Sequence, residues 1–302
     1  MLILYFVYAK IIVMKKDTLQ KRTKIANDIM FYIYTHIDTN IDIEELSIDL
    51  NVSKFHMHRI FKEAFGKNIY ESIKSIRLQK ASNLLLTNKY STISEIANEC
   101  GYSSQSSFIK TFKDRFEMTP KQWRNGGYKN YSQKILQQSA VAMKSTADFS
   151  DKIPEIVKMP SFESFYIRNP GYNSNIKQAW QKLQTWILSN DIHEYKQIAL
   201  FHDNPTITPL EECQYIACIV TNENIKSDRL PNFKISDGVY AKFDVEGKQG
   251  DILKFIHWVY HEWLPKSEFE TTTKPSYVIY RKNNFLSSDN QFDLSFYVSI
   301  KF

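Results

Sequence analysis

The sequence predicts a multi-domain chain of the α and α+β classes: an all-α double helix-turn-helix domain, then a duplicated β-α-β-β antiparallel-sheet domain. A helix, turn and helix pattern occurs twice before Arg124, about fifty residues apart, and a strand-rich pattern occurs twice after Ile153. The charge supports this division. Residues 15–131 hold 19 Lys and Arg against 13 Asp and Glu, whereas residues 132–302 hold 19 against 20.

The second helical copy lies in residues 92–116. Thr92 and Glu95 form a T-x-x-E capping box at the start of its first helix. Gly101 is predicted to end that helix, because glycine adopts left-handed dihedrals at little cost, and Ser103 is predicted to cap the next helix. The apolar residues recur at helical spacing: Ile93, Ile96, Ala97, Cys100, Phe108, Phe112 and Phe116.

The first copy repeats this pattern upstream. Asp42 and Glu45 stand where the later copy has Thr92 and Glu95, and Asn51-Val52-Ser53 replaces the Gly-Tyr-Ser turn. A plain helical bundle would explain the apolar spacing. It would not predict two turns of this form, each followed by a helix with a basic residue on its polar side.

Residues 25–125 resemble the DNA-binding domain of the AraC/XylS family, in which a long helix joins two helix-turn-helix units. The resemblance implies sequence-specific binding to promoter DNA. Departures from the family pattern are Ser47 for alanine, Ile69 for proline and Glu117 for glycine. The pattern itself runs through Leu46, Ser53, Arg59-Ile60-Phe61-Lys62, Gly66, Arg77-Leu78, Ala81, Leu85, Ile96-Ala97, Gly101-Tyr102, Phe108, Phe112-Lys113, Thr119-Pro120 and Arg124.

The resemblance and the helical spacing together place candidate DNA contacts on the second helix of each unit. Base contacts are predicted for Phe55, His58, Arg59, Gln105, Ser106 and Lys110. Arginine can bind guanine in a bidentate manner, and glutamine can pair with adenine. Ser53 and Ser103, at the helix starts, are predicted to bind phosphate. The alternative for each residue is plain solvent exposure.

The C-terminal half is predicted to contain two β-α-β-β units side by side, which form a curved antiparallel sheet with a cleft between them. Its sequence resembles the GyrI-like small-molecule-binding domain through Arg168-Asn169-Pro170-Gly171-Tyr172, Asp203-Asn204-Pro205, Glu262-Trp263-Leu264-Pro265 and Pro275-Ser276-Tyr277-Val278-Ile279-Tyr280. The order of the two domains resembles the right-origin-binding type of regulator.

Aromatic side chains can stack on a flat ligand or hold a cation in such a cleft. The residues predicted to bind an effector are Tyr166, Trp258, Trp263, Val278, Tyr280 and Phe296. The family usually has a glutamate where this chain has Val278. The missing carboxylate favours a neutral or weakly polar ligand.

The remaining segments are a predicted N-terminal leader, residues 1–24, and a polar interdomain linker, residues 126–152. The leader is interpreted as an over-extended start with Met14 as the initiator. Its apolar run is interrupted by Lys10 and is shorter than the ~20 residues needed to cross a bilayer. Three scattered cysteines fit a reducing cytoplasm and exclude a disulfide framework.

These observations predict a cytoplasmic transcription regulator without enzymatic activity, cofactor or metal. Its expected partners are double-stranded promoter DNA, a small-molecule effector and RNA polymerase, and no membrane. Two alternatives stay open for residues 153–302. They could form a small-molecule hydrolase, although no nucleophile and base are paired in the sequence, or a protein-interaction module that binds no ligand.

Overall fold

The N-terminal half is helical. The computed structural model describes residues 2–88, 90–223, 225, 230–272 and 274–302, with side chains 2–17 and 20 left out of that description. The predicted leader is continuous with the first helix, but its side chains up to residue 17 lie outside the described residues. The helices are α1 (Leu2–Thr35), α2 (Ile43–Asp49), α3 (Lys54–Phe65), α4 (Ile69–Thr87), α5 (Ile93–Glu99), α6 (Gln105–Phe116) and α7 (Pro120–Gln122).

Two separate cores organise these helices. The core of the first unit joins the C-terminal part of α1 to α2, α3 and the start of α4 around Phe61, which is fully buried. The core of the second unit joins the end of α4 to α5 and α6 around Phe112 and Trp123. The long helix α4 belongs to both cores, so it fixes the position of one unit relative to the other.

The three departures from the family pattern are accommodated in different ways. The buried Ser47 hydroxyl donates to the carbonyl of Glu44 at 2.8 Å, so it is not left unsatisfied. Ile69 begins α4 and is fully buried. Glu117 ends α6 in the left-handed region with φ +58°, where a family glycine would carry no steric cost.

The segment predicted as a linker is folded. After a kink within Trp123–Gly127, where Gly126 has φ +109°, the chain forms α8 (Tyr128–Gln137) and α9 (Ala140–Met143). Helix α8 buries Tyr128, Ile135 and Leu136 along one side. The connection is therefore a packed helical element.

The described residues of the C-terminal half form an antiparallel sheet and two α-helices. Its strands pair in the order β1-β6-β9-β8-β3-β4-β2-β5, with β7 added to β9. The elements are β1 (Glu155–Met159), β2 (Phe162–Pro170), α10 (Asn175–Ser189), β3 (Lys196–Phe201), β4 (Gln214–Val220), β5 (Asn232–Ile235), β6 (Gly238–Lys248), α11 (Asp251–Trp258), β7 (Glu270–Thr271), β8 (Ser276–Lys282) and β9 (Gln291–Lys301).

The predicted duplication is confirmed, and each unit has an additional strand before it. The units β2-α10-β3-β4 and β6-α11-β8-β9 meet where β3 pairs with β8, with Ala199 opposite Val278. The additional strand that precedes each unit pairs with a strand of the other unit: β1 pairs with β6, and β5 pairs with β2. The sequence did not reveal these two short edge strands.

The sheet has two buried faces because side chains alternate along each strand. Its inner face, which includes Ala199, Val278 and Phe296, is covered by α10 and α11. Its outer face, which includes Ile198, Leu200 and Tyr277, forms a separate core. No helix in the described part of the chain is long and apolar enough to cross a membrane.

The helical half docks against this sheet domain through specific contacts. Helix α1 faces the outer face, where Asn27 Oδ1 accepts a hydrogen bond from the Tyr166 hydroxyl at 2.7 Å. The β3–β4 loop places Ile207 in the core of the second helix-turn-helix unit. Near it, Arg115 donates to the carbonyl of Ile207 at 3.2 Å. The two halves thus contact each other through both helix-turn-helix units, by way of α1 in the first and α6 in the second.

Candidate nucleic-acid interface and ligand cavity

The two predicted turns have the same backbone geometry. Asn51 and Gly101 occupy equivalent left-handed positions, with φ +50° and +74°. The next residue in each turn donates its N–H back to the helix, from Val52 to the Ser47 carbonyl and from Tyr102 to the Ala97 carbonyl, both at 3.0 Å. This bond closes a Schellman-type helix end. Asparagine is tolerated in the first turn because it adopts the left-handed region more readily than most residues.

The helix starts are capped, with two corrections to the prediction. Thr92 and Glu95 form the expected capping box, whereas Asp42 caps α2 alone by accepting from the N–H groups of Glu44 and Glu45. In the second unit Ser104, and not Ser103, caps α6 by accepting from Ser107 N–H at 3.2 Å. Consecutive serines made the cap position ambiguous in the sequence.

Helix α3 presents a mixed surface. Phe55, in the first turn of the helix, is 79% exposed. Arg59 is exposed one turn further along, with Nη2 at 3.0 Å from His56 Nδ1. His58 is half-buried, and its ring centroid lies 5.6 Å from that of Tyr70. Of the three predicted base contacts, Phe55 and Arg59 therefore share the open face.

Helix α6 presents the equivalent surface in the second unit. Gln105, Ser106 and Lys110 are all exposed, while Phe108 and Phe112 on the opposite side are fully buried. The exposed set lies in the first half of the helix, which is the part that contacts base edges in helix-turn-helix proteins.

The predicted phosphate contacts are exposed residues at the same helix starts. Ser53 caps α3 by accepting from His56 N–H at 3.3 Å, and it keeps its hydroxyl proton available as a donor. Ser103 lies in the turn just before α6 and is exposed.

Arg77 on α4 connects the two units. Its Nε donates to the Ile37 carbonyl at 3.1 Å and its Nη2 to the Thr39 carbonyl at 2.8 Å. A Cβ added to Gly101 would lie 2.8 Å from both Arg77 Nη2 and the Ile37 carbonyl oxygen. The turn of the second unit therefore packs directly against Ile37, just after α1, through a glycine that has no side chain.

A cavity of about 490 Å³ lies on the inner face of the sheet, between α10, α11 and the α8–α9 segment. Tyr215 and Tyr280 form its polar floor, with their hydroxyl oxygens 3.2 Å apart. Trp180 Nε1 donates to the Tyr215 hydroxyl at 3.0 Å. Burial raises the pKa of Tyr280 to about 12, so both hydroxyls stay neutral hydrogen-bonding groups at physiological pH.

The described lining of this cavity lacks negative charge, as expected from the absence of the glutamate that the family usually has at the position of Val278. Among its described lining residues no carboxylate is present, and Lys177 is the charged side chain at the wall. Val278 is fully buried in the inner core, paired with Ala199 and Phe296. The site therefore offers aromatic surface and neutral hydrogen bonds and lacks a counter-charge for a cation.

One of the residues predicted to bind an effector, Tyr280, lines this cavity. Tyr166 is on the outer face of the sheet, and Val278 and Phe296 are fully buried in the inner core. The tryptophan rings pack on Phe243, at 6.0 Å for Trp258 and 4.9 Å for Trp263.

Sequence reasoning missed Tyr172, Phe201 and Tyr215, which line the cavity with Tyr280. Strand alternation could have found two of them, because Phe201 pairs with Tyr215 across β3 and β4 and both side chains face α10. No comparable pattern in the sequence indicated that α9 contributes to the cavity wall. Its Val141 carbonyl approaches so close to Gly250 that an added Cβ there would lie 2.3 Å away.

Comparison with known proteins identifies both halves. The family described as a GyrI-like small molecule binding domain matches residues 153–301, and a helix-turn-helix domain family matches residues 46–126. The chain is 34% identical over 105 residues to the probable transcription factor PqrA of Proteus vulgaris, a match that covers 34% of this chain and 85% of that protein.

Two further similarities each cover about a third of the chain. The xylose operon regulatory protein of Escherichia coli is 33% identical over 96 residues, which is 32% of this chain and 24% of that protein. The chain thus matches only about a quarter of that relative's length. The C-terminal domain of AraT, a response regulator from Geobacillus stearothermophilus, is 30% identical with a TM-score of 0.32, covering 33% of this chain and 84% of that domain.

Proposed function

Because the chain belongs to the AraC family of transcription regulators, we propose that it binds specific promoter sequences through α3 and α6 and responds to a small molecule bound in its C-terminal domain. The observation that carries the proposal is the paired geometry. Two turns with the same closing hydrogen bond each lead into an exposed, polar helix, and both helices are held by α4.

The length of α4 supports simultaneous reading by the two units. Its 19 residues extend for about 28 Å, close to the ~34 Å between successive major grooves on one side of a duplex. In this arrangement Arg59 contacts guanine, Gln105 contacts adenine and Phe55 packs on a thymine methyl. Ser53, Ser103 and the helix N-termini hold phosphates and fix the register.

The test is base-specific DNA binding by single variants. Arg59→Ala should lose one bidentate contact, which discriminates by about 1–3 kcal/mol, and should relax the preference at one base pair. Lys110→Ala should weaken the contact made by the second unit. Lys62→Ala is the matched control, because Lys62 is an exposed basic residue in the last turn of the same helix as Arg59.

The readout is a set of binding curves for the native site and for single base-pair substitutions. The control should bind these sequences with the wild-type ranking. If Arg59→Ala and Lys110→Ala also keep that ranking and the wild-type footprint, the two helices do not read the bases.

The C-terminal domain is proposed to bind a neutral, flat molecule in the inner cavity. A volume of about 490 Å³ falls within the range of small-molecule sites. The proposal extends to a non-enzymatic role, because no described cavity residue supplies a paired nucleophile and base. RNA polymerase as a partner and a cytoplasmic location are part of the same proposal, and membership of this family of regulators supports both.

Ligand screening of the full-length chain separates the alternatives for this domain. Thermal stabilisation by a neutral aromatic compound without turnover, lost in Tyr280→Trp, supports an effector site. Turnover of that compound would indicate a hydrolase. The absence of stabilisation across a metabolite panel would favour a protein-interaction module.

A further inference from the structure

A second cavity, of about 480 Å³, lies on the other side of the sheet from the inner cavity. One wall is the last part of α1, from Asn27 to Thr35, and the other is the outer face near β2, β3 and β5. This outer cavity is therefore enclosed by both domains, and neither domain forms it alone.

Arg168, on β2, enters this cavity beside the first helix-turn-helix unit. Its guanidinium carbon lies 4.0 Å from the centroid of the Phe65 ring, at the end of α3, and 5.4 Å from that of Tyr166. Within the described residues no carboxylate forms an ion pair with it. Burial lowers the pKa of the Arg168 guanidinium, since a buried charge without a counter-charge is costly.

The hydrogen bonds around Arg168 leave two donors without acceptors. Asn27, which is 8% exposed, accepts through its Oδ1 from the Tyr166 hydroxyl and from Arg168 Nη2 at 3.2 Å. Arginine can only donate, so this contact fixes the Asn27 amide with its oxygen toward the guanidinium. Asn27 Nδ2 and Arg168 Nε are both buried and have no hydrogen-bond partner.

Two orphaned donors and an unpaired positive charge require acceptor oxygens and negative charge. The other charged residues around the cavity add to this bias, because Lys234 and Lys274 outnumber Asp28. The walls themselves are mainly apolar, with Met30, Phe31, Leu200, Phe233, Ile235 and Pro275 among them. A suitable ligand therefore combines an anionic head with an apolar body.

We propose that the outer cavity is a second ligand site, which takes a small carboxylate with an aromatic or aliphatic body and places that carboxylate on Arg168 and Asn27. Asn27 Nδ2 and Arg168 Nε have almost no accessible surface before the ligand enters, so a small shift of these side chains accompanies binding and turns the two donors to the carboxylate oxygens. The ligand class differs from that of the inner cavity, whose described lining favours a neutral molecule.

The position of the site links ligand binding to the arrangement of the two domains. The carboxylate binds Arg168 on the sheet and Asn27 on α1 at the same time, so it joins the two domains. Because Arg168 also packs on Phe65 in the first helix-turn-helix core, occupation stabilises the docked arrangement of that unit.

A matched pair of probes tests the proposal on the full-length chain. 1-Naphthylacetate carries the carboxylate, and 1-naphthylacetamide has nearly the same shape without the charge. Calorimetric titration of each should show the acid binding at least about tenfold more tightly than the amide, as expected for charge-assisted hydrogen bonds in a buried site.

Three variants locate the binding. Arg168→Met should abolish the preference for the acid, and Arg168→Lys, which keeps a charge, should retain part of it. Thr35→Trp, at an exposed residue of the cavity wall, should weaken both probes by filling space while leaving Arg168 in place. Lys177→Met in the inner cavity is the control and should leave the preference unchanged.

Three outcomes would contradict the proposal. Equal affinity of the wild type for acid and amide would show that the orphaned donors do not select an anion. A preference that survives Arg168→Met, or that disappears in Lys177→Met, would place the carboxylate elsewhere. If Arg168→Met does not fold, the Thr35→Trp and Lys177→Met results decide by themselves. Promoter binding is measured separately, so failure here leaves the DNA-binding proposal standing.

Discussion

Substitution of Gly101 by alanine tests the contact on which the second helix-turn-helix unit depends. The residue has φ +74°, and an added Cβ would lie 2.8 Å from the Ile37 carbonyl oxygen. The left-handed backbone costs alanine about 1 kcal/mol. Crowding against a main-chain atom adds about 1–3 kcal/mol. We therefore expect Gly101→Ala to lower the free energy of unfolding by about 2–4 kcal/mol.

Gly66 provides a matched control for the backbone contribution. It ends α3 with the same φ of +74°, and an added Cβ there would have no atom within 4 Å. Gly66→Ala should therefore cost only about 1 kcal/mol. The difference between the two variants measures the close approach of Ile37 and Arg77 to the turn.

Urea-induced unfolding of both variants, followed by circular dichroism, gives the two free energies from the midpoint and slope. The midpoint of Gly101→Ala should lie well below that of Gly66→Ala. If the two losses of unfolding free energy agree within about 0.5 kcal/mol, the turn does not pack against Ile37 and Arg77 as described.

Two further predictions concern stability. Glu117→Gly should raise the free energy of unfolding by about 0.5–1 kcal/mol, because it removes the strain of φ +58° at the end of α6, while the control Glu117→Ala should change little. Burial lowers the pKa of His202 to about 3, that of His257 to about 4 and that of His261 further, so the folded chain resists their protonation. The free energy of unfolding should have its full value above pH 6.5. Below that pH it should fall, by about 2 kcal/mol per histidine at pH 5. Urea midpoints measured between pH 7.5 and 5 check this, with His257→Asn reducing the fall; a flat profile would contradict it.

The helical half could be predicted because its signals are local. Caps, turn residues and the spacing of apolar side chains lie within a few positions of each other, and the repeated pattern made the turns specific. The long helix and both units follow from this. One shifted detail, Ser104 as the cap of α6, arose where neighbouring serines offer the backbone equivalent side chains.

The sheet domain was predictable in its repeat and less so in its edges. Strands β1 and β5 are short and partly exposed, so their sequences lack a strong alternating pattern. Their exchange between units is a long-range pairing that no local signal specifies. The ligand residues were hardest to place, because an aromatic side chain in a strand faces either side of the sheet depending on register, as Tyr166 and Tyr280 illustrate.

The docking of the two halves could not be read from the sequence. It depends on single polar contacts between distant residues, such as Asn27 with Tyr166 and Arg168. The predicted linker likewise becomes helical because α8 packs against α11, where Ser132 Oγ lies 3.0 Å from His257 Nε2. Such contacts decide where the outer cavity forms and what it can bind.

The central claim is that α3 and α6 read one stretch of promoter DNA together. The most direct measurement is selection of bound sequences from random DNA by the purified full-length chain at moderate salt, followed by competition against bulk DNA. We expect two conserved half-sites about one helical turn apart and a preference over bulk DNA of at least about a thousandfold. Enrichment of no sequence, with equal binding to bulk competitor, would contradict the claim.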